Sequence, residues 1–282
     1  MKVIRNPHQL SRRIKEAIRK RKSIGFVPTM GALHQGHLSL IKRARLENNI
    51  LVVSIFVNPI QFGPEEDFKM YPRPLKEDLA LCRASGVDFV FLPDKKNIYP
   101  PDYSTFVEVE GLSDLLCGVS RPGHFRAVTT IVAKLLNIVA PTTLYLGQKD
   151  AQQAIIIKRM IKDLNFPVKV KIMPIVRQKD GIALSSRNVY LNEQEKTDAV
   201  VLAEALSLAR SMFKKGTRDV WRIIARMRQH ISKKRQARID YLSIVGLEKL
   251  EEIKKINQDC LVALAVKFGN TRLIDNTVIR YA

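Results

Sequence analysis

The fold is decided by residues 23–37, which read SIGFVPTMGALHQGH. The beginning of this stretch, Ser23–Pro28, is a short apolar run that indicates a buried strand. Two glycines, Gly31 and Gly36, then allow the backbone to approach a ligand closely. Apolar residues recur at helical spacing over Leu38–Asn48. The chain is therefore expected to pass from a strand through a glycine-containing turn into a helix.

Strand and helix patterns continue to alternate along the first two-thirds of the chain. The run Ile50–Val57 is continuous and rich in β-branched residues, which is typical of a strand covered on both faces. Ala127–Val139 carries a wide apolar stripe at helical spacing. The other elements predicted here are helices at Pro7–Lys22, Leu75–Ala84 and Ala151–Leu164 and strands at Val87–Leu92, Thr142–Leu146 and Val168–Val176. This order predicts βαβ units and a parallel sheet.

The last third of the chain has a different pattern, because its elements do not alternate. Two helices are predicted at Glu193–Lys215 and Arg218–Lys234. The strands that follow are Ile239–Val245, Leu261–Lys267 and Thr271–Ile279. We therefore predict an α/β protein of two domains: a Rossmann-like domain with a doubly wound parallel sheet at residues 1–176, and a smaller C-terminal α+β lid domain at residues 177–282.

Composition restricts the class of protein. The 282 residues are 46% hydrophobic and 27% charged, which is typical of a globular protein. The sequence has no run of about 18 apolar residues, which a spanning helix needs, and its beginning does not resemble a secretory signal. Cys82, Cys117 and Cys260 lie far apart, so neither a disulfide framework nor a cysteine-based zinc site is expected. We expect a reduced, cytoplasmic protein.

The net charge of +21 suggests a polyanionic partner, because basic surfaces attract nucleic acids. The basic residues are spread along the chain, however, with only modest clusters at Arg12–Lys22 and Lys233–Arg238. A helix face rich in Lys and Arg is usually solvated. A basic nucleic-acid-binding protein on the same fold therefore stays an alternative, and nucleic acid is not the expected partner.

Two histidines, His34 and His37, lie where the helix after the first strand begins. A helix start offers free N–H groups and the positive end of the helix dipole, which suit a phosphate. Two imidazoles at this place can donate hydrogen bonds to phosphoryl oxygens as charge develops on them. The alternatives are ordinary surface histidines at a turn, or a zinc site, although zinc normally needs a third protein ligand.

Polar residues also follow two other strands, and ligands of parallel sheets bind beyond the carboxyl ends of the strands. Asn58 and Gln61 are amides that can bind hydroxyls or a carboxylate, although Asn-Pro also favours a turn. Lys149 can neutralise phosphate charge. Asp150 can accept a hydrogen bond from a ribose hydroxyl or cap the following helix.

Three further segments could take part in the chemistry. Ser185, Ser186 and Arg187 make a compact polyphosphate clamp near the domain boundary, with a helix N-cap as the alternative. Residues 121–126 are expected to form a loop between elements. Asp78 offers a carboxylate for a hydrated Mg²⁺ ion and is the candidate metal ligand.

Six runs of this sequence, in the same order, resemble the pantoate–β-alanine ligase family. They are PTMGALHQGH at 28–37, VSIFVNPIQF at 53–62, YPR at 71–73, RPGHF at 121–125, GQKDAQQ at 147–153 and DGIALSSRN at 180–188. The HxGH signature is shared with a wider group of nucleotidyltransferases, so by itself it indicates only that superfamily. The six runs are distributed over residues 28–188, and the resemblance extends over essentially the whole chain.

The resemblance implies an ATP-dependent ligase. In such an enzyme pantoate and ATP form pantoyl adenylate and pyrophosphate with Mg²⁺, and the amine of β-alanine then displaces AMP. The resemblance implies catalytic roles for His34, Lys149 and His37, the last as general acid, and a homodimer. It implies that Gln61 and Gln153 bind pantoate. Asn58 stays a further candidate for substrate binding. The ATP-binding residues that it implies are Met30, Gly31, Ala32, Leu33, His34, Gln35, Gly36, His37, Gly147, Gln148, Lys149, Asp150, Val176, Leu184, Ser185, Ser186 and Arg187.

A nearer alternative is another HxGH nucleotidyltransferase, such as one that attaches AMP to a phosphorylated small molecule. The sequence shows no phosphate-binding cluster beyond the expected ATP clamp. Gln61 and Gln153 therefore favour a substrate with one carboxylate and uncharged hydroxyls.

Overall fold

The computed structural model describes residues 1–64 and 66–281, and these divide into two compact units. The first unit comprises Met1–Ser113, Arg121–Gly147 and Gln153–Pro174, and the second comprises Asp114–Ser120, Gln148–Gln152 and Ile175–Ala282. The predicted domain boundary after residue 176 stays a prediction. In the structure, two short segments, residues 114–120 and 148–152, group with the C-terminal part.

The first unit is built on a parallel sheet. Its strands are β1 (Lys2–Ile4), β2 (Ile24–Thr29), β3 (Ile50–Ile55), β4 (Phe89–Phe91), β5 (Thr143–Gly147) and β6 (Lys169–Met173). The helices up to residue 163 are α1 (Pro7–Arg19), α2 (Gln35–Glu47), α3 (Leu75–Ala84), α4 (Lys95–Ile98), α5 (Cys117–Ser120), α6 (His124–Val139) and α7 (Ala151–Asp163). Each neighbouring pair of these strands is parallel, which confirms the predicted α/β class.

Both faces of this sheet are covered, which explains the continuous apolar runs. Successive side chains of a strand point to opposite faces. In β2, Phe26 belongs to the apolar core on one face and Val27 to the core on the other, and both are fully buried. In β3, Val52 and Val53 divide in the same way. A strand in this position has no polar face, so period-2 alternation is absent from its sequence.

The order of the strands places a switch point beside β2. The order is β1-β4-β3-β2-β5-β6, so the chain winds from β2 through β3 to β4 and then returns to the other side of β2 with β5 and β6. In open α/β sheets, ligands bind at the carboxyl ends of the strands where the winding reverses. Here those ends are Thr29 of β2 and Gly147 of β5.

The second unit contains an antiparallel sheet with helices, as the sequence predicted. Its strands, β7 (Ala237–Gly246), β8 (Cys260–Phe268) and β9 (Thr271–Ile279), pair in that order. Its longer helices are α8 (Glu193–Ala199), α9 (Val201–Lys214) and α10 (Val220–Ile231). One apolar core joins the sheet to α9 and α10, through Leu206, Ile223 and Val262 among others. None of the helices in the described ranges has the length and apolar character needed to cross a lipid bilayer.

Candidate active site

The histidine pair lies at the beginning of α2, directly after the switch-point strand β2. His34 is the N-cap residue of this helix, and its Nδ1 accepts the backbone N–H of Gly36 at 3.1 Å. His37 reaches back, and its Nδ1 accepts the backbone N–H of His34 at 3.3 Å. The two rings are half-buried and their centroids lie 4.1 Å apart. The two histidines therefore form a capping box at the start of α2 and are not two independent surface side chains.

These two hydrogen bonds determine which ring nitrogen carries the proton. In a neutral imidazole one nitrogen donates and the other accepts. Because Nδ1 accepts a backbone N–H in both His34 and His37, the neutral rings carry their proton on Nε2. The helix start thus holds two Nε2–H donors close together, in addition to the positive end of the helix dipole. This arrangement suits a ligand with several anionic oxygens.

The loop between β2 and α2 is held by side chains from other parts of the unit. Gly31 has φ of 84° and Ala32 has φ of 49°, so two consecutive residues adopt the left-handed conformation. The hydroxyl of Thr29 accepts the N–H of Gly31 at 3.1 Å and donates to the carbonyl of Ser54 at 2.7 Å. The carboxylate of Asp78 accepts the N–H of Ala32 at 2.9 Å.

Asp78, the candidate metal ligand, is only 1% exposed in the first turn of α3. Its Oδ2 binds Ala32, and its Oδ1 accepts the N–H of Leu33 at 2.7 Å. Burial raises the pKa of this carboxyl above its usual value, against the lowering effect of the two backbone N–H groups. These contacts give the carboxylate of Asp78 a role in holding the loop, and metal binding by Asp78 stays a prediction.

The two amides predicted after β3 contact each other. Asn58 is 1% exposed, and its Nδ2 donates to the carbonyl of Ala127 at 3.2 Å and to Oε1 of Gln61 at 3.2 Å. Its Oδ1 accepts the phenol of Tyr99 at 3.0 Å. Burial raises the pKa of Tyr99 well above its usual value, so this phenol stays protonated and donates.

This chain of hydrogen bonds fixes the orientation of Gln61. A backbone carbonyl only accepts, so the Asn58 group facing it is the NH₂, and Gln61 must turn its oxygen toward Asn58. The NH₂ of Gln61 then points away, with Nε2 at 2.9 Å from Sδ of Met30. Gln61 is therefore held as a hydrogen-bond donor beside the loop that carries the histidine pair. Asn58 is buried and orients Gln61. Its side chain makes no capping hydrogen bond to the short 3₁₀ helix Pro59–Gln61 that follows.

The RPGHF run, which we expected to be a loop, leads into α6, which begins at His124, and it supports the backbone of Gln61. His124 donates from Nδ1 to the carbonyl of Gln61 at 2.8 Å, and its Nε2 lies 3.0 Å from Nη1 of Arg121. Arg121 in turn binds Glu66 through Nε and Nη2, at 2.7 and 2.5 Å. This support was not predicted from the sequence. The basic and imidazole groups of the run were its only signal.

In the second unit, Asn276 of β9 holds the turn that contains Lys149. The Nδ2 of Asn276, a residue only 4% exposed, donates to the carbonyls of Gln148 and Lys149, at 2.9 Å each. The Nζ of Lys149 lies 3.6 Å from Oδ1 of Asp150. No pattern in the sequence pointed to Asn276, which stands 127 residues from Lys149.

The segment with the serine pair continues from a short hairpin in the same unit. Leu184 donates its backbone N–H to the carbonyl of Val176 at 3.0 Å, so these two predicted residues are paired. The neighbouring Arg177 forms a bidentate ion pair with the buried Asp275, in which Nη1 and Nη2 donate to Oδ2 and Oδ1 at 2.6 and 2.9 Å. Ser185 then caps a short 3₁₀ helix by accepting the N–H of Arg187 at 3.3 Å, and its hydroxyl can still donate a hydrogen bond, so the cap does not exclude phosphate binding.

Within each unit the structure shows direct contacts between only some of the predicted site residues. The first unit joins the residues 30–37 to Gln61 through the contact with Met30. The second joins Gln148 and Lys149 to Asn276, and Val176 to Leu184. Gln153 lies half-buried in the first turn of α7.

A parallel sheet with a histidine pair at the helix start beside its switch point is typical of an α/β enzyme that binds a nucleotide. The family model for pantoate–β-alanine ligase matches residues 2–278. The chain therefore belongs to the pantoate–β-alanine ligase family.

Individual relatives agree with this result over nearly the whole chain. The pantothenate synthetase of Acetivibrio thermocellus is 53% identical, and the match covers 94% of this chain and 96% of that protein. The solved pantothenate synthetase of Thermus thermophilus is 42% identical with a TM-score of 0.93, covering 98% of this chain and 99% of the other. The Francisella tularensis pantoate–β-alanine ligase, solved with β-γ ATP and β-alanine, is 37% identical with a TM-score of 0.83, covering 99% and 97%.

Proposed function

We propose that the chain joins (R)-pantoate to β-alanine with ATP, through a pantoyl-adenylate intermediate. In the first step a carboxylate oxygen of pantoate bonds to the α-phosphorus, and the bond from that phosphorus to the pyrophosphate oxygen breaks. In the second step the β-alanine nitrogen bonds to the acyl carbon and loses a proton, and the acyl C–O bond to AMP breaks. Membership of the family supports this condensation.

The observation that carries the proposal is the pair of Nε2–H donors at the start of α2. In the first step one anion attacks another, so the negative oxygens of the triphosphate must be stabilised as the bond forms. His34 and His37 hold hydrogen-bond donors at a helix start beside the switch point of the sheet. We assign His37 the further role of general acid toward the departing pyrophosphate.

Gln61 is proposed to bind pantoate. Its NH₂ is presented as a donor, and the carboxylate and hydroxyl oxygens of pantoate are acceptors. Gln153, in the first turn of α7, is proposed as the second pantoate contact. Asn58 orients Gln61 and is assigned no direct contact with the substrate.

The proposed ATP contacts are the residues that the family resemblance implies. Lys149 supplies a cation for the phosphates, and Arg187 supplies a planar fork of donors that suits phosphate oxygens. The hydroxyls of Ser185 and Ser186 add donors for the same group. The remaining proposed ATP contacts are Met30, Gly31, Ala32, Leu33, Gln35, Gly36, Gly147, Gln148, Asp150, Val176 and Leu184.

We propose that ATP binds as its Mg²⁺ complex, so that the ion enters with the substrate. Mg²⁺ is commonly held by substrate phosphates and water with few protein ligands. Within residues 1–64 and 66–281, no group of three or more His, Cys, Asp or Glu side chains is placed to hold a metal ion. The residues present therefore suit an ion carried by the triphosphate better than a resident metal. The cytoplasmic location and the homodimer expected from the sequence also stay predictions.

A product assay tests the function directly. The purified chain is incubated with Mg·ATP and (R)-pantoate, with and without β-alanine, and the products are separated. We expect pyrophosphate without β-alanine, and AMP with an equal amount of pantothenate when it is present. Formation of ADP and phosphate, or of pyrophosphate only with a phosphorylated substrate in place of pantoate, would contradict the proposal.

A further inference from the structure

The loop that leads into the histidine pair adopts a conformation that must be stabilised from outside. Gly31 and Ala32 are both left-handed, with φ of 84° and 49°. For a residue with a Cβ this conformation costs roughly 1–2 kcal/mol. Such a backbone persists only where the surroundings hold it.

Asp78 is the group that holds this loop. One carboxylate accepts the N–H groups of two successive residues, Ala32 and Leu33, at 2.9 and 2.7 Å. The carboxylate also lies directly against the glycine, because a Cβ on Gly31 would stand 2.9 Å from Oδ2 of Asp78. Burial of a carboxylate destabilises the fold unless the carboxylate is hydrogen-bonded. The two backbone N–H groups of the loop therefore stabilise the buried Asp78, and Asp78 in turn stabilises the loop.

The second of these two N–H groups belongs to the residue next to the histidine pair. Leu33 precedes His34, which caps α2 and receives the return contact of His37. A shift of the Leu33 backbone therefore moves the N-cap and both Nε2 atoms relative to β2. A misplacement of about 1 Å in a catalytic constellation can cost on the order of 10²-fold in rate.

We propose that Asp78 is a positioning residue for the catalytic histidine pair, acting through the backbone of Ala32 and Leu33, and that it is not a metal ligand. This inference rests on the proposed function of His34 and His37. It replaces the metal role that the sequence suggested for Asp78.

The test is the variant Asp78→Asn, which keeps the size of the side chain. Its amide NH₂ must face one of the two backbone N–H groups, so one hydrogen bond is lost and two donors are opposed. We expect kcat for pantoate-dependent pyrophosphate release to fall on the order of 10²-fold, with the KM for pantoate near the wild-type value. The Mg²⁺ concentration that gives half the maximal rate should not change.

The matched control is Asp88→Asn. Asp88 also accepts a backbone N–H, from Leu51 at 2.8 Å, and binds Arg45 at 2.7 Å, but it does so at the amino end of β3. We expect this variant to lose stability in thermal unfolding while its kcat stays near the wild-type value. Equal loss of kcat in both variants at equal stability would overturn the proposal.

Three outcomes of these measurements decide the inference. If the wild type is active and Asp78→Asn has the same kcat, the positioning role of Asp78 is overturned and the proposed function is unaffected. A raised Mg²⁺ requirement, with turnover restored at high Mg²⁺, overturns it in favour of a metal ligand. If Asp78→Asn does not fold, Asp78→Ser removes both carboxylate acceptors of the Ala32 and Leu33 N–H groups with a smaller side chain, and a wild-type kcat in that variant overturns the proposal.

Discussion

The backbone N–H of His34 donates to Nδ1 of His37, three residues further along α2. This hydrogen bond closes the first turn of the helix and, at the same time, leaves the proton of the neutral His37 ring on Nε2. Nδ1 of His37 thus serves the helix cap, while Nε2 is the nitrogen that is proposed to act on the substrate. A substitution can remove Nε2 and keep an acceptor in the place of Nδ1.

The variant His37→Asn should separate capping from catalysis. The asparagine oxygen can take the place of Nδ1 and keep the cap, but the side chain ends before the position of Nε2. We expect the rate of pantoyl-adenylate formation to fall by roughly 10²–10⁴-fold, as for loss of a general acid, with the midpoint of thermal unfolding little changed. His37→Gln is a second capping variant, since the side-chain oxygen of glutamine at this position can also accept the N–H of the N-cap residue, and the same loss of rate is expected. Near-normal turnover of His37→Asn would remove the assigned role.

The variant Gln61→Glu should weaken pantoate binding selectively. Asn58 still donates to the oxygen that faces it, so the second oxygen of the new carboxylate takes the place of the NH₂ donor. Loss of a hydrogen bond to a charged group costs about 1.5–3 kcal/mol, roughly 10- to 100-fold in affinity. We expect the KM for pantoate to rise by at least this factor, while the KM for ATP stays near the wild-type value. Equal increases in the two KM values would contradict the pantoate contact.

The variant Lys149→Met should slow chemistry far more than it disturbs folding. The ion pair of Lys149 with Asp150 is partly exposed, and such pairs contribute about 0–1 kcal/mol to stability. Removal of a charge that stabilises the transition state costs roughly 10²–10³-fold in kcat. Single-turnover pyrophosphate release measures this loss, and Lys158→Met, on the exposed side of α7, controls for the change of net charge. A variant that fails to fold would indicate a structural role instead.

Stability of the first unit should depend on pH through Glu47 at the end of α2. Hydrogen bonds from Lys171 and Tyr145, each at 2.6 Å, lower the pKa of Glu47 from 4.5 to about 2. A carboxyl whose pKa is lower in the folded state stabilises the fold above its unfolded pKa, and the contribution is lost as pH falls toward the folded pKa. Unfolding by urea should therefore become easier as the pH falls from 4.5 to about 2. In Glu47→Gln this part of the pH dependence should disappear, and an unchanged pH profile would count against the contact.

The fold could be predicted because its signals are local. The apolar runs of β2 and β3 and the wide stripe of α6 are long enough to read without tertiary information. β1 was missed because Lys2–Ile4 has only three residues, of which only Ile4 is buried. The single helix expected at Glu193–Lys215 is divided at Val200, where nothing in the local sequence marks a break.

The candidate site could be predicted only in part, because its supports come from distant residues. The position of the histidine pair could be predicted, because the pair lies between a local strand pattern and the start of a local helix pattern. The contact of Asp78 with the loop spans 45 and 46 residues, and that of Asn276 with Lys149 spans 127. Such pairings depend on how the elements pack. The sequence therefore suggested only a metal role for Asp78, because its contact with the loop depends on how α3 packs.

The most direct test of the central claim is exchange of labelled pyrophosphate into ATP. If the histidine pair assists attack of pantoate on the α-phosphorus, exchange will occur with Mg·ATP and pantoate in the absence of β-alanine, and it will fall with His37→Asn. Exchange that does not require pantoate, or that persists undiminished in the variant, would contradict the account.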